Sequence, residues 1–313
     1  MTAPGPALHG LKRQRPEWEP WLAVVEEILR EAGTSAWDGT VPLGAEAPSA
    51  KVAEGLGAEA PSAKAALRQT TVPLLAGATI PLTASSVRRL LERLIRIASL
   101  SGTPKMATLA AAPRENLDVL TLFTASLCQD NERVAEVAAA SGADAEAFQA
   151  VIALLPVPFL HACNRRWSSS ISESWVEGYC PVCGSWPAFA EVRGIERSRH
   201  FRCGRCGGGW HARALSCPYC AVDDHYALVS LVPEKTGSRA VIDACTRCLG
   251  YVKTLTTLQG CPPGTVMLED LVSVDLDVAA LEQGYIRPIG AGYSLEATVT
   301  AQNVTRRFFS WRA

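Results

Sequence analysis

Eight of the eleven cysteines in this chain form four Cys-x-x-Cys pairs: Cys180 with Cys183, Cys203 with Cys206, Cys217 with Cys220, and Cys245 with Cys248. Thiolates are soft ligands, and two sets of four are what two tetrahedral metal sites need. The intervals of nineteen, ten and twenty-four residues between pairs are of zinc-ribbon type. Two sulfurs three residues apart converge on one ion only if the chain turns back in a tight knuckle, which favours a residue tolerant of positive φ just after the second ligand. Gly184 and Gly207 stand there in the first two pairs, and Gly250 lies one place later after the fourth. Pro181 and Pro218 stiffen two of the knuckles.

The segments between pairs indicate which pairs meet. Ala188–Val192 predicts a strand, Arg193–Ser198 a turn, and Arg199–Arg202 a return strand delivering Cys203. The pattern repeats with Tyr226–Val232, Pro233–Ser238 and Ala240–Asp243 leading into Cys245. Two such units favour sequential grouping, first pair with second and third with fourth; a cross-braced arrangement is the alternative. Val176–Cys220 holds only five Val, Ile or Leu residues, too few to offset the entropy of ordering that length of chain. Bound metal, worth roughly 10–16 kcal/mol in apparent binding energy, would supply what the core lacks.

Other uses of paired cysteines fit less well. Met1–Pro20 is polar and proline-rich with no apolar signal region, and no membrane-spanning run is evident. A cytoplasmic location is therefore expected, where structural disulfides are rare. A thioredoxin-like motif would normally occur once beside a βαβ unit, and iron–sulfur cysteine runs are spaced differently. Zinc and a rubredoxin-like iron both suit four thiolates, so two metal ions in four-cysteine sites, zinc or iron, are expected.

His200 and His211 flank Cys203 and Cys206, but the sites are already full with eight paired thiolates. His161, Cys163 and Cys128 read as helix packing residues, and Cys261 precedes Pro262-Pro263 without a partner at useful spacing. Trp167, Trp175, Trp186 and Trp210 gather around the thiolate region, as packing groups or as a partner anchor. With no phosphate loop, nucleophile elbow or His-Glu-x-x-His motif, no catalytic or organic-cofactor residue is assigned, and no enzyme activity is expected.

The elements that must carry these ligands begin with a helical half. Glu17–Glu31 sets Trp21, Val24, Val25 and Ile28 on one stripe. From Ser86, Val87, Leu90, Leu91, Leu94 and Ile95 form another, and Arg114–Cys128, Glu132–Ala140 and Ala143–Leu155 continue the period. Short breaks between them favour a compact antiparallel bundle. An Ala, Gly and Pro-rich insert near 34–82 contains a direct repeat, Leu43–Lys51 recurring as Leu56–Lys64, and reads as mobile. The fold expected is α+β. A helical domain at 1–166 precedes two tandem rubredoxin-like or zinc-ribbon modules at 167–214 and 215–260, and 261–313 forms a short helical or extended end.

The motifs Cys180-Pro181-Val182-Cys183-Gly184-Ser185-Trp186-Pro187, Arg199-His200-Phe201-Arg202-Cys203, Cys206 with Trp210 and Arg213, and Cys245-Thr246-Arg247-Cys248-Leu249-Gly250-Tyr251-Val252-Lys253 resemble the FdhE family. The likeness covers roughly residues 170–260 and extends loosely to Asp275-Leu276-Asp277 and Gly284-Tyr285. The family's arginine before the third pair stands one position later than Arg213. The resemblance implies a cytoplasmic, non-enzymatic accessory protein needed for respiratory formate dehydrogenase, binding its catalytic subunit before export. A second copy of the chain is a further candidate partner. The other classes open to the residues are a zinc-ribbon nucleic-acid binder and a rubredoxin-like electron carrier. With 30 Lys plus Arg against 31 Asp plus Glu, no global charge drives binding to nucleic acid. From His161 to Cys220, however, eight Arg stand against four Glu, a basic face or a docking surface.

Overall fold

The computed structural model describes residues 5–42, 72–100, 103–111, 117–233 and 239–302. Its first layer is helical. After a short α1 (Gly5–Gln14), α2 (Glu19–Ala32) has Pro20 in its first turn and buries Leu22, Val25, Ile28, Leu29 and Ala32 at helical spacing. The Trp21 side chain, expected on that stripe, is half-buried. Helix α3 (Ala84–Ser99) buries Val87, Leu90, Leu91, Leu94, Ile95 and Ala98. Arg93 of α3 pairs with Glu27 at 3.0 Å and Glu31 at 2.6 Å, fastening the two helices.

A short α4 (Pro104–Ala107) is followed by α5 (Val119–Cys128), α6 (Asn131–Ser141) and α7 (Ala145–Ile152). Asp118, Asp130 and Asp144 cap the last three by accepting from backbone N–H groups of the first turn. Helix α8 (Val157–Trp167) restarts after Pro156 and is buried from Val157 through Asn164 and again at Trp167. The segment Ala145–Ser170 has the length and apolarity of a membrane span, yet 78% of that window is buried inside the protein. It is core.

The second layer is a six-stranded sheet. Its strands are β2 (Phe189–Arg193), β3 (Ser198–Arg202), β4 (Gly209–His211), β5 (Leu228–Leu231), β6 (Ala240–Cys245) and β7 (Tyr251–Thr257), in the order β4-β3-β2-β7-β6-β5. Each half is an antiparallel meander, and the halves join where β2 and β7 pair in parallel, Phe189 opposite Lys253 through Arg193 opposite Thr257. Tandem modules were expected from the two hairpins; the strands after the first and fourth pairs, β2 and β7, make them one continuous sheet.

Parts of the insert expected at 34–82 belong to the core. Trp37, Val41, Leu74, Leu75, Ile80 and Leu82 are buried, and β1 (Ala78–Leu82) pairs in parallel with β8 (Ala297–Ala301). Composition hid this because the apolar residues at its edges are few and interrupted. The repeat at 43–64 lies outside the described residues. Helices α9 (Val266–Val272) and α10 (Val274–Glu282) follow the sheet. Ala280, Leu276 and Ala279 of α10 pack on Ile242, Ala244 and Tyr251.

Candidate metal centre

The four knuckles share one backbone geometry. In each, the first cysteine's N–H donates at 2.9 Å to the carbonyl five residues on: Ser185, Gly208, Val222 and Gly250. The residue after the second cysteine adopts positive φ in every case: Gly184, Gly207, Ala221 and Leu249. Gly250 therefore does not supply the left-handed turn that its position suggested; Leu249 does, despite its Cβ.

Sequential grouping is what the sheet produces. Cys180, Cys183, Cys203 and Cys206 come together, as do Cys217, Cys220, Cys245 and Cys248, with all sulfurs of a group within 4.8 Å of one another. Separations across the knuckles include 3.5 Å for Cys180–Cys206, 3.6 Å for Cys183–Cys203 and Cys217–Cys248, and 3.7 Å for Cys220–Cys245. A disulfide needs about 2.05 Å, whereas a tetrahedron with metal–sulfur bonds of about 2.3 Å spaces its sulfurs about 3.8 Å apart. The donor sets fit a thiophilic ion in each group.

The first group is embedded in the main core, with all four cysteines fully buried among residues of α2, α3, α5 and α8. Its first knuckle is held from outside. The Pro181 and Val182 carbonyls accept from the Leu74 and Leu75 N–H groups at 2.8 and 3.1 Å, and the Gly184 carbonyl accepts from Tyr293 N–H at 2.9 Å. In the second knuckle, Arg205 reaches the end of α5 and donates to the carbonyls of Ser126 at 2.6 Å and Leu127 at 3.1 Å. Arg202 donates to the Gly207 and Cys261 carbonyls. The scarcity of apolar residues in this ribbon is thus met largely by the helical layer packed over it.

Hydrogen bonds from Cys180, Cys203 and Cys206 hold the Cys183 thiol well below its ordinary value, while burial pushes Cys180 well up. His161, on α8, faces this group, and a Cβ on Gly207 would lie 2.9 Å from its ring. Burial and the Arg165 charge push the imidazole down to about 4. Neither His161 nor Cys163 joins the ligand set among the described residues.

The second group lies at the margin. Cys217 and Cys245 are buried, Cys248 is half-buried and Cys220 is exposed. Burial raises Cys217. Cys245, though raised by burial, is held below its usual range by the Cys248 and Arg247 N–H groups and by Cys220. Arg199 of β3 is buried, donates to the carbonyl of Ser216 at 3.0 Å, and so fixes the residue preceding Cys217. It also lines a cavity of about 300 Å³ beside Cys217 and Cys245, with Asp243 on the same wall.

His200 and His211 oppose each other across β3 and β4 with rings 5.6 Å apart, outside both groups. Trp167, Trp175 and Trp210 are buried, and the last two donate to the Tyr179 and Glu177 carbonyls. Trp186 is half-buried. Cys128 is only half-buried, short of the core position expected of it. The feature that the cysteine spacing gave no sign of is the cluster behind the sheet. Lys253, wholly buried, lies 2.8 Å from Asp270 and from Asp277, and Arg287 and the Tyr251 hydroxyl also reach Asp277.

No family model matches the chain. Among curated proteins it is 30% identical over 143 residues to an FdhE homologue of Stutzerimonas stutzeri, covering 42% of this chain and 46% of that protein. It is 31% identical over 118 residues to an FdhE homologue of Aquifex aeolicus, covering 37% and 41%. To FdhE of Escherichia coli O127:H6 it is 31% identical over 111 residues, 35% of each. The matched segment spans less than half the length of each relative. The crystal structure of FdhE from Pseudomonas aeruginosa superposes with a TM-score of 0.47 at 20% identity, over 93% of this chain and 94% of that one.

Proposed function

We propose that this chain, similar over part of its length to FdhE proteins, is an FdhE-family accessory protein of respiratory formate dehydrogenase, binding the catalytic subunit in the cytoplasm before export. The observation that carries this reading is a pair of four-thiol groups on one sheet, in a chain 30% identical to an FdhE homologue over 143 residues. Cys180, Cys183, Cys203 and Cys206 would hold one ion, and Cys217, Cys220, Cys245 and Cys248 another. Zinc would cross-link each group; iron would add a one-electron couple. The modules at 167–214 and 215–260 would then act as one plate beside the helical domain at 1–166, with α10 of the segment at 261–313 packed on the sheet.

Affinity capture of the full chain from a host grown on formate tests the reading. The formate dehydrogenase catalytic subunit is the expected prey, and a deletion strain is expected to lose formate oxidation. Capture without that subunit, together with normal oxidation in the deletion strain, would overturn the proposal. Light scattering on the same preparation distinguishes a monomer from a homodimer.

A further inference from the structure

We infer that the two thiolate groups differ in kind. Cys217, Cys220, Cys245 and Cys248 form an exchange site that takes up and gives back its ion on the folded protein, whereas the group of Cys180 receives its ion during folding and keeps it. This rests on the reading that both groups bind metal.

Access is the first reason. A competing ligand must reach the ion or one of its sulfurs. All four sulfurs of the first group are sealed beneath α8, Leu74, Leu75 and Tyr293. In the second group each knuckle contributes one buried cysteine, Cys217 or Cys245, and one that reaches the surface, Cys220 exposed or Cys248 half-buried. The inner pair can retain the ion while the outer pair is replaced.

The packing around each group points the same way. The first group belongs to the main core, so baring it means opening that core. The second has a satellite cluster of its own, with Val222 as its buried apolar neighbour and Tyr219, Ala227 and Leu228 packed around it. Local opening is least costly where few apolar contacts are broken.

Backbone conformation adds a third difference. The first group's knuckles place glycine at positive φ. The second group's place Ala221 at 57° and Leu249 at 58°, a conformation that disfavours a residue bearing a Cβ. Opening either of those knuckles releases strain that the first group does not carry. Arg199 on Ser216 and the Tyr219 hydroxyl on the Tyr251 carbonyl hold the inner half of the site while this happens.

Transfer needs no electron. The ion leaves in its existing oxidation state, each metal–sulfur bond is exchanged for one to the acceptor, and the freed thiolates take protons from water. The acceptor class is a thiolate or a multidentate oxygen and nitrogen chelator.

Protein purified without oxygen and carrying about two ions per chain is treated with excess EDTA and N-ethylmaleimide at pH 7. Metal release is followed in time and labelled cysteines are mapped by mass spectrometry. One ion is expected to leave at least about tenfold faster than the other, with label on Cys217, Cys220, Cys245 and Cys248, none on the first four, and unchanged circular dichroism. A Cys220→Ser variant is expected to stay folded with the slow ion. Release of both ions in one phase, retention of both, or earlier labelling of Cys180, Cys183, Cys203 and Cys206 would overturn the exchange site while leaving two metal sites intact. A chain holding no ion at the outset would defeat the metal reading itself, and the exchange site with it.

Discussion

Trp186 and Tyr219 meet edge to face with ring centroids 5.1 Å apart, and the contact joins the two thiolate groups. Trp186 stands three residues after Cys183, and Tyr219 lies between Cys217 and Cys220, with its hydroxyl donating to the Tyr251 carbonyl at 2.7 Å. Such ring pairs are worth about 1 kcal/mol beyond the area they bury. Trp186→Leu and Tyr219→Leu are therefore expected to show a coupling of that size in a double-mutant cycle, read by urea unfolding at fixed metal content. Additive costs would mean that the rings touch without supporting each other.

Arg205 ties the second knuckle to the helical layer through carbonyls at the end of α5. Hydrogen bonds from a charged group contribute about 1.5–3 kcal/mol each. Arg205→Met keeps the stem and removes the donors, and should destabilise the protein by about 3 kcal/mol in chemical denaturation. A loss within error would place the anchor of the first group elsewhere.

Lys253 is buried without any solvent contact between Asp270 and Asp277, which belong to two successive helices. Removing one member of a buried pair typically costs about 3–5 kcal/mol, because the remaining charge is left uncompensated. Lys253→Ala should fall in that range by urea unfolding and should loosen α9 and α10, visible as faster amide exchange there.

The same cluster sets a pH response. Burial raises Asp277, but hydrogen bonds from Lys253 and Tyr251 and the charge of Arg287 outweigh it, leaving the carboxyl below its ordinary value. Between that lowered value and the unfolded value of about 3.9 the unfolded chain binds more protons. The contribution is thus fully present above about pH 4 and is lost as pH falls through the folded pKa. Asp277→Asn should flatten the acid limb of the stability curve. An unchanged slope would remove Asp277 from the acid response.

The knuckle positions respond to substitution in opposite directions. A Cβ on Gly207 would lie 2.4 Å from the Pro263 carbonyl oxygen, and φ there is +71°. Gly207→Ala should be strongly destabilising or fail to fold. Leu249, half exposed at φ 58°, carries the conformation at a cost of about 1–2 kcal/mol. Leu249→Gly should accordingly raise thermal stability, offset in part by the greater freedom of glycine in the unfolded chain. A fall in the unfolding temperature would show that the Leu249 side chain contributes more than the strain it brings.

Cysteine types and spacing, read from the chain alone, marked out eight sulfurs and the hairpins between them and favoured sequential fours over a cross-braced arrangement, because a knuckle and a two-stranded turn are local events; the tertiary structure made the choice. The apolar stripes of α2 and α3 were legible for the same reason: a helix declares itself within a few turns. What only the tertiary structure decided is everything that depends on partners far apart in the chain. The parallel pairing of β2 with β7 made two ribbons one sheet. Leu74, Leu75 and Tyr293 closed over the first knuckle, and Lys253 found Asp270 and Asp277. Leu249 took the left-handed turn that glycine spacing had placed at Gly250, in the same knuckle geometry, closed by Cys245 N–H on the Gly250 carbonyl, as the other three pairs. The full burial of one cysteine group and the partial exposure of the other follow from that long-range packing, which no local spacing encodes.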